Sequence, residues 1–293
     1  MAAQSLWGDV WRRFRRDKMA VVGMGVLAII ILSLLVGPLV YGVPGDEIDF
    51  TQASLGPSWH HWFGTNDLGQ DQLARVLWGG RISLAVGVSA IALAIILGVG
   101  IGAIAGFCGG VIDTILMRIT DLCLALPQLP LLLLVVYLFR DAIKAVAGPE
   151  WGIFYLIVFV IGGLNWMPVA RLVRAWFLTV RQMDYVAAAR SLGASPMRLI
   201  WVHILPNAIG PVIVAATLGV GNAIITESTL SFLGLGFPPD IPTWGRMLYE
   251  AKDYLDTAPH MAIFPGTVIF LTVLSINYIG DGLRDAIDPK TGS

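Results

Sequence analysis

The sequence predicts an all-α integral membrane protein with six transmembrane helices. Three observations lead there. Of 293 residues, 56% are hydrophobic and 13% are charged, against about 25% charged in a soluble chain, and mean hydropathy is +0.76. Six stretches are free, or nearly free, of Asp, Glu, Lys and Arg for close to the roughly 20 residues that a bilayer demands. The loops between those stretches alternate between rich and poor in arginine.

In chain order, "LWGDVWRRFRRDK" places Leu6, Trp7, Val10, Trp11 and Phe14 on one helical face. It reads as an interfacial helix on the headgroups ahead of the first span. The spans follow at 19–45, 82–112, 122–139, 151–170, 199–226 (best trimmed to 206–226) and 261–280. The third is short unless it starts near Asp113 and carries Arg118 and Asp121 inward, three apart on one face and able to pair. Gly-rich runs such as "GVGIGAIAGFCGG" allow close helix contact in lipid. Pro127, Pro130, Pro168, Pro211 and Pro265 predict kinks or breaks in later spans.

Orientation follows from the basic residues. The N-terminal segment carries Arg12, Arg13, Arg15, Arg16 and Lys18, residues 171–198 carry five arginines and no lysine, and the tail adds Arg284 and Lys290. The alternate loops hold Arg75, Arg81, Arg140, Lys144, Arg246 and Lys252, outnumbered there by acids. The positive-inside rule therefore places both termini and residues 184–207 in the cytoplasm.

Several function classes are excluded by what the chain lacks. There is no G-x-x-x-x-G-K-[ST] loop to cradle nucleotide phosphates, and no H-E-x-x-H, C-x-x-C or G-x-S-x-G. No catalytic or metal-ligating set emerges, since His60 and His61 adjoin in an outer loop while His203 and His260 stand apart. Cys108 and Cys123 read as free packing thiols. A net charge of −1 argues against a nucleic-acid partner. Nothing at the N-terminus reads as a cleavable signal.

The stretch "DYVAAARSLGASPMRLIWVHILPN", residues 184–207, reads as two short helices. Asp184 is placed to cap the first and Gly193 to end it in the left-handed conformation. Ser195 is placed to cap the second, with Pro196 at its first position. Ala187, Ala188 and Ala189 leave a surface almost without side chains, on which another protein can approach the backbone. A loop packed on its own bundle explains small residues equally well, and a DNA-binding helix-turn-helix is disfavoured by the lipid tether at both ends.

These residues resemble the cytoplasmic loop of permease subunits of ABC importers, whose pattern is E-A-A-x-x-x-G followed by a hydrophobic run and L-P. Ala188, Ala189, Gly193, Leu205 and Pro206 match, and Ala187 stands where Glu is usual. "FGTNDLGQDQLARVLWGGRISL" is similar to the F-G-T-D-x-L-G-R-D segment of the oligopeptide, dipeptide and nickel class, with Asn66 and Gln70 as substitutions. "ESTLSFLGLGFPPDIPTWGRML" and "SINYIGDGLRDAIDPK" are similar to that class's outer loop and C-terminal ending, and the likeness is to the second of its two permease subunits.

The resemblance implies a type I ABC importer permease fold in a bacterial inner membrane. It divides the chain into an interfacial helix and first span (1–45), an extracytoplasmic segment (46–79), a permease domain (80–281) with its coupling loop at 184–207, and a cytoplasmic tail (282–293). Implied partners are a homologous permease, two ATPase subunits that bind ATP and Mg, an extracytoplasmic substrate-binding protein and lipid, with no cofactor in this chain. The coupling set is Asp184, Tyr185, Ala187, Ala188, Ala189, Gly193, Ala194, Ser195 and Pro196. Candidate pathway or gate residues are Asn165, Asn222, Glu227, Phe232, Phe237, Trp244 and Asn277. The apolar, proline-stiffened segment around Phe237 is expected to fold back into the outer mouth. The expected cargo is a di- or oligopeptide, with nickel or another small solute as the alternative. A secondary transporter, which needs ionisable or broken-helix sites at mid-membrane, is the rival class.

Overall fold

The computed structural model describes residues 6–287, with the side chains of Leu6 and Trp7 outside that description. Lys290 and the rest of the chain after residue 287 also lie outside it. Twelve α-helices carry the fold, and no β-sheet occurs among the described residues. Four helices are long and apolar enough to cross a membrane: α2 (Lys18–Tyr41), α3 (Gln72–Cys108), the run Pro196–Phe232, and α12 (His260–Ile287). Two further pairs pass the same test only together, across a bend that marks a broken span or a re-entrant loop: α4 (Gly110–Ala125) with α5 (Gln128–Ala147), and α6 (Pro149–Gly163) with α7 (Trp166–Val180). By length and composition the described residues hold four to six crossings, six where each bent pair is one span.

The N-terminal helix α1 (Leu6–Phe14) does not rest on lipid alone. Val10 and Phe14 pack against Ile279, Leu283 and Ala286 of α12, while Trp11 is half-exposed. Asp17 then caps α2, accepting from the backbone N–H of Met19 (2.9 Å) and Ala20 (3.2 Å). Pro38, inside α2, has no N–H for the Leu34 carbonyl one turn back. Arg81 supplies the donor instead, from Nε to the Leu34 carbonyl at 2.7 Å and from Nη2 to that of Leu35 at 3.0 Å. An arginine that would be expensive in lipid is thereby consumed by a carbonyl that would be expensive without it.

The second span is longer than the stretch 82–112 suggests and ends sooner. Helix α3 starts at Gln72, where Asp71 accepts from the Ala74 N–H (2.7 Å), and stops at Gly109. Its 37 residues make a rod of about 55 Å. The boundary at residues 79 and 80 is therefore no break in the backbone, and neither is that at 281 and 282, which lies within α12. Gly98, Gly102 and Gly106 of α3 meet α7 so closely that a β-carbon on any of them would strike Val169, Ala170 or Phe177. The glycine run thus does what its composition predicts.

The third span corrects the sequence reading most. The stretch from Asp113 to Phe139 is not one straight helix: the chain turns through 86° between α4 and α5 at Pro127, one of the prolines expected to kink or break a later span. Arg118 and Asp121 do not form the expected pair; Asp121 binds Arg171 of α7 instead. The fourth span bends by 40° between α6 and α7, at Leu164 and Asn165, and reaches Val180 rather than Ala170. Pro211 and Pro265 sit inside continuous helices, so proline alone did not decide where spans break.

Residues 43–71 make a compact hairpin at one end of the bundle. Phe63 stacks on Phe264 at 3.9 Å, and His61 bridges Asp71 (2.9 Å) and Gln52 (2.6 Å). Asp49 accepts from Thr51 and Gln52, and those bonds hold its carboxyl below the usual carboxylate range. His260, opening α12, meets the Thr65 carbonyl at 3.0 Å. This end, with Trp244, is the Trp244 end; the other, with the arginines of 171–198, is the arginine end.

Candidate functional site

At the arginine end the chain leaves α7, turns at residues 181–183 and forms α8 (Asp184–Ser191). Asp184 is the first helical residue and not the cap, a place taken by Met183 without a side-chain bond. Asp184 still favours the helix N-terminus through its charge. The helix ends in a Schellman motif: the Gly193 N–H donates to the Arg190 carbonyl (3.0 Å) and the Ala194 N–H to that of Ala189 (3.1 Å). Gly193 has φ +83°, the left-handed conformation that the turn requires.

Ser195 then accepts from the Arg198 N–H (3.4 Å), with Pro196 at the first position of α9 (Pro196–Arg198). The second short helix is not separate. It runs through a π-helical stretch, Leu199–Ile204, into α10 (Leu205–Phe232) as one 37-residue unit. The break expected between the loop and the fifth span does not occur, because the π turn absorbs the mismatch without interrupting the hydrogen bonding.

The three alanines do not share a face. At 100° per residue they divide, with Ala187 and Ala188 exposed and Ala189 half-buried beside Ala194. Val186 is fully buried against Leu199, Ile204 and Ala208, and the small Ala189 and Ala194 let α8 lie close to the start of α10. Tyr185 fixes the angle: its hydroxyl accepts from Asn207 Nδ2 (3.1 Å), which also donates to the His203 carbonyl (2.8 Å). What remains outward is Ala187, Ala188, the Gly193 turn and a rim of exposed apolar side chains, Leu192 (89%), Met197 (63%) and Met183 (43%). Sequence reasoning passed over that rim, although a leucine and a methionine flanking a polar turn were a readable signal.

Asn165 stands at the bend between α6 and α7, donating to the Ile161 carbonyl (2.7 Å) and accepting from Gln128 Nε2 (3.4 Å) beside the other break. Toward the arginine end α4 and α7 are tied by Asp121 with Arg171 and by Asp113 with Arg174, while Arg181, just past α7, donates to the Phe107 carbonyl of α3 (2.7 Å). Gln128, Asp113 and Asp121 were not singled out for this role, because partners on separate helices leave no local spacing to detect.

At the Trp244 end, Glu227 is fully buried in α10 and accepts from Ser231 (2.8 Å) and Ser83 of α3 (3.4 Å). Ser83 Oγ also accepts from the Trp244 N–H (3.3 Å), and Trp244 Nε1 donates to the Val76 carbonyl (3.0 Å). Glu227 is thus an internal tie between two spans and not the interfacial cap that its position suggests. Phe237 packs with α3, α5 and α6, and Trp244 with α2, α3 and α12, at 2% and 0% exposed. The segment does fold back into the bundle end, while Phe232 stays half-exposed. Asn222 is exposed on α10, and Asn277 joins Ile225, Ile269, Phe270, Val273 and Leu274 around a shallow cleft of ≈ 210 Å³. The candidate pathway residues therefore occupy different surroundings and form no single site.

Residues 98–293 match the binding-protein-dependent transport system inner membrane component family, and residues 5–57 match the N-terminal transmembrane domain of oligopeptide transport permease C. The dipeptide transport system permease protein DppC of Alkalihalophilus pseudofirmus is 38% identical over 99% of this chain and 92% of its own. The oligopeptide transport system permease protein OppC of Bacillus subtilis is 40% identical over 98% and 90%. A glutathione transport system permease protein, GsiD of Pectobacterium atrosepticum, is 40% identical over 98% and 92%. Among solved structures, an inward-facing form of the MetNI methionine ABC transporter shares the fold at a TM-score of 0.59 and 16% identity, covering 73% of this chain and 96% of that one. With a compact helix held out on a Schellman turn, and with two-thirds of its length matched, the chain belongs to the family of binding-protein-dependent transport system inner membrane components.

Proposed function

We propose that this chain forms half of the translocation pathway of an ATP-driven importer of di- and oligopeptides. In this reading it lies in a bacterial inner membrane with both termini and the arginine end in the cytoplasm. A homologous permease completes the pathway, a binding protein delivers cargo at the Trp244 end, and two ATPase subunits bind ATP and Mg at the arginine end. The observation that carries the coupling role is α8. It offers an outward face of Ala187, Ala188 and the Gly193 turn, rimmed by exposed Leu192 and Met197. Its inward face is locked to the rod that runs to Phe232.

A small-residue face with an apolar rim suits insertion into a groove of a partner. Locking to a long helix suits transmission of movement from that groove to the far end of the span. Peptide cargo rests on relatives named for dipeptide, oligopeptide and glutathione transport, and nickel gains no support from them. A secondary transporter is disfavoured because Glu227, the ionisable member of the candidate pathway residues, is consumed by serine hydroxyls of its own bundle.

The test is peptide uptake into proteoliposomes holding both permeases, with and without the ATPases and binding protein. Uptake that needs all of them supports the reading. Uptake driven by an ion gradient without ATPases refutes it.

A further inference from the structure

Helix α2 is a ruler for the membrane at the Trp244 end. Its 24 residues make about 36 Å, a little more than the hydrocarbon layer of about 30 Å. With Lys18 among the headgroups at its start, Tyr41 stands among those at its end. Leu39 and Val40 in the last turn are exposed, Leu39 by 82%, and carry the apolar surface of the span up to Tyr41. Trp62 meets Tyr41 edge to face with ring centroids 5.6 Å apart, yet remains 58% exposed. Trp59, close by in the hairpin, is 93% exposed. The two tryptophans, with Pro57 and Ser58, border a wide recess of ≈ 550 Å³. On α3, half-exposed Trp78 carries Arg81 over its ring at 4.8 Å, and the same Arg81 binds α2 at Leu34 and Leu35.

A loop standing in water does not account for this set of side chains. Residues 50–66 contain no Asp, Glu, Lys or Arg, while Asp46, Glu47, Asp49, Asp67 and Asp71 stand on either side of them. A tryptophan with almost no protein contact leaves its apolar body in water, whereas at a bilayer edge the ring is buried and its N–H still finds a partner. Contact between Trp62 and the end of an apolar span selects lipid over a protein as the occupant.

We infer that Trp59 and Trp62 are seated in the headgroup layer at the Trp244 end and dock the 43–71 hairpin onto the lipid surface. The hairpin in turn is fastened to the bundle. Phe63 stacks on Phe264 of α12, His260 meets the Thr65 carbonyl, and Arg75 joins Gln70 to Glu250 of α11. Lipid thereby sets the depth of the elements that surround Trp244. The inference requires that α2 cross the membrane; it requires neither the cargo nor the importer reading.

The test uses the permease pair with its ATPases in vesicles of phosphatidylethanolamine and phosphatidylglycerol, without binding protein. Cys108→Ser and Cys123→Ser are the background, and a nitroxide is attached at His60→Cys, which leaves both tryptophans in place. Its collision rates are measured with oxygen, which dissolves in lipid, and with a nickel chelate, which stays in water. Reference positions are Ile29→Cys and Leu39→Cys on α2 and the exposed Asp253→Cys at the Trp244 end. The nickel-to-oxygen ratio at position 60 should fall between those of Leu39 and Asp253, at least about threefold below the latter. Trp59→Ser disturbs little packing and should raise that ratio about twofold, and adding Trp62→Ser should bring it to the value at Asp253. A ratio at position 60 already equal to that at Asp253 places the loop in water and overturns the inference. Slow collisions with both reagents place it under protein and do the same. An unchanged ratio in both serine variants overturns it as well, because the tryptophans would then not be what holds the loop.

Discussion

At the scale of single residues, Gly193 separates a conformational demand from a packing one. Nothing lies within 4 Å of where its β-carbon would stand, so a side chain there meets no neighbour in this chain. Its φ of +83° alone makes substitution costly, by about 1 kcal/mol or more. Gly193→Val is therefore expected to insert normally and to pair with the sister permease, yet to lose most of the ATPase on co-purification from membranes. Ala187→Glu, on the exposed side, should retain the ATPase and full uptake. Asn66 and Gln70 make a second case. Asn66 accepts from the Leu68 and Gln70 N–H groups and donates to Gln70 Oε1 (2.9 Å), which also receives Arg75. The resembling pattern has Asp and Arg at these places, so an ion pair is replaced by an uncharged pair. Asn66→Asp alone turns a donor against an acceptor and should cost about 1–3 kcal/mol. Adding Gln70→Arg should recover much of that, read as a coupling energy in a thermal double-mutant cycle.

At the scale of elements, the reach of the sequence depended on whether a signal was local. The Gly193 turn, the Ser195 cap and Pro196 were legible because each depends on residues within five positions. The break in the span at 113–139 was legible at Pro127 but its sharpness was not, because hydropathy reports how apolar a stretch is and says nothing of its direction. Pro127 stands at that break while Pro211 and Pro265 lie inside continuous helices, and the contact beside the break, Gln128 with Asn165, joins partners 37 residues apart that no local pattern reveals. The π stretch Leu199–Ile204 was equally invisible. It holds the extra residue that sets the angle between α9 and α10. Deleting Val202, exposed within it, should convert the stretch to regular helix and rotate α8 by about 100° around the α10 axis. The expected result is a stable, membrane-inserted protein whose ATPase no longer co-purifies. Unchanged retention would show that the orientation of α8 is not what the partner reads.

At the scale of the whole molecule, the two ends are joined by the 37-residue run from Pro196 to Phe232. One end is clamped to α8 through Val186, Tyr185 and Asn207. The other holds Glu227, bonded to α3, and packs beside Trp244 through Ile224. A load applied at the Gly193 turn thus has an unbroken backbone to travel along before it meets the segment that closes the Trp244 end. Breaking that rod should uncouple the ends without disturbing either. Ala216→Pro removes one backbone hydrogen bond near the middle and forces a kink, at about 3 kcal/mol or more. The ATPase should still co-purify, because α8 and its turn are untouched, and basal ATP hydrolysis should persist. Stimulation by loaded binding protein should vanish, and uptake with it. This pattern is the reverse of that expected for Gly193→Val, which loses the ATPase itself, so the two variants assayed side by side distinguish attachment from transmission. Normal stimulated hydrolysis in Ala216→Pro would mean that force reaches the Trp244 end by another route. The α3 and α7 pair, packed glycine to backbone over its length, would then be the next element to break.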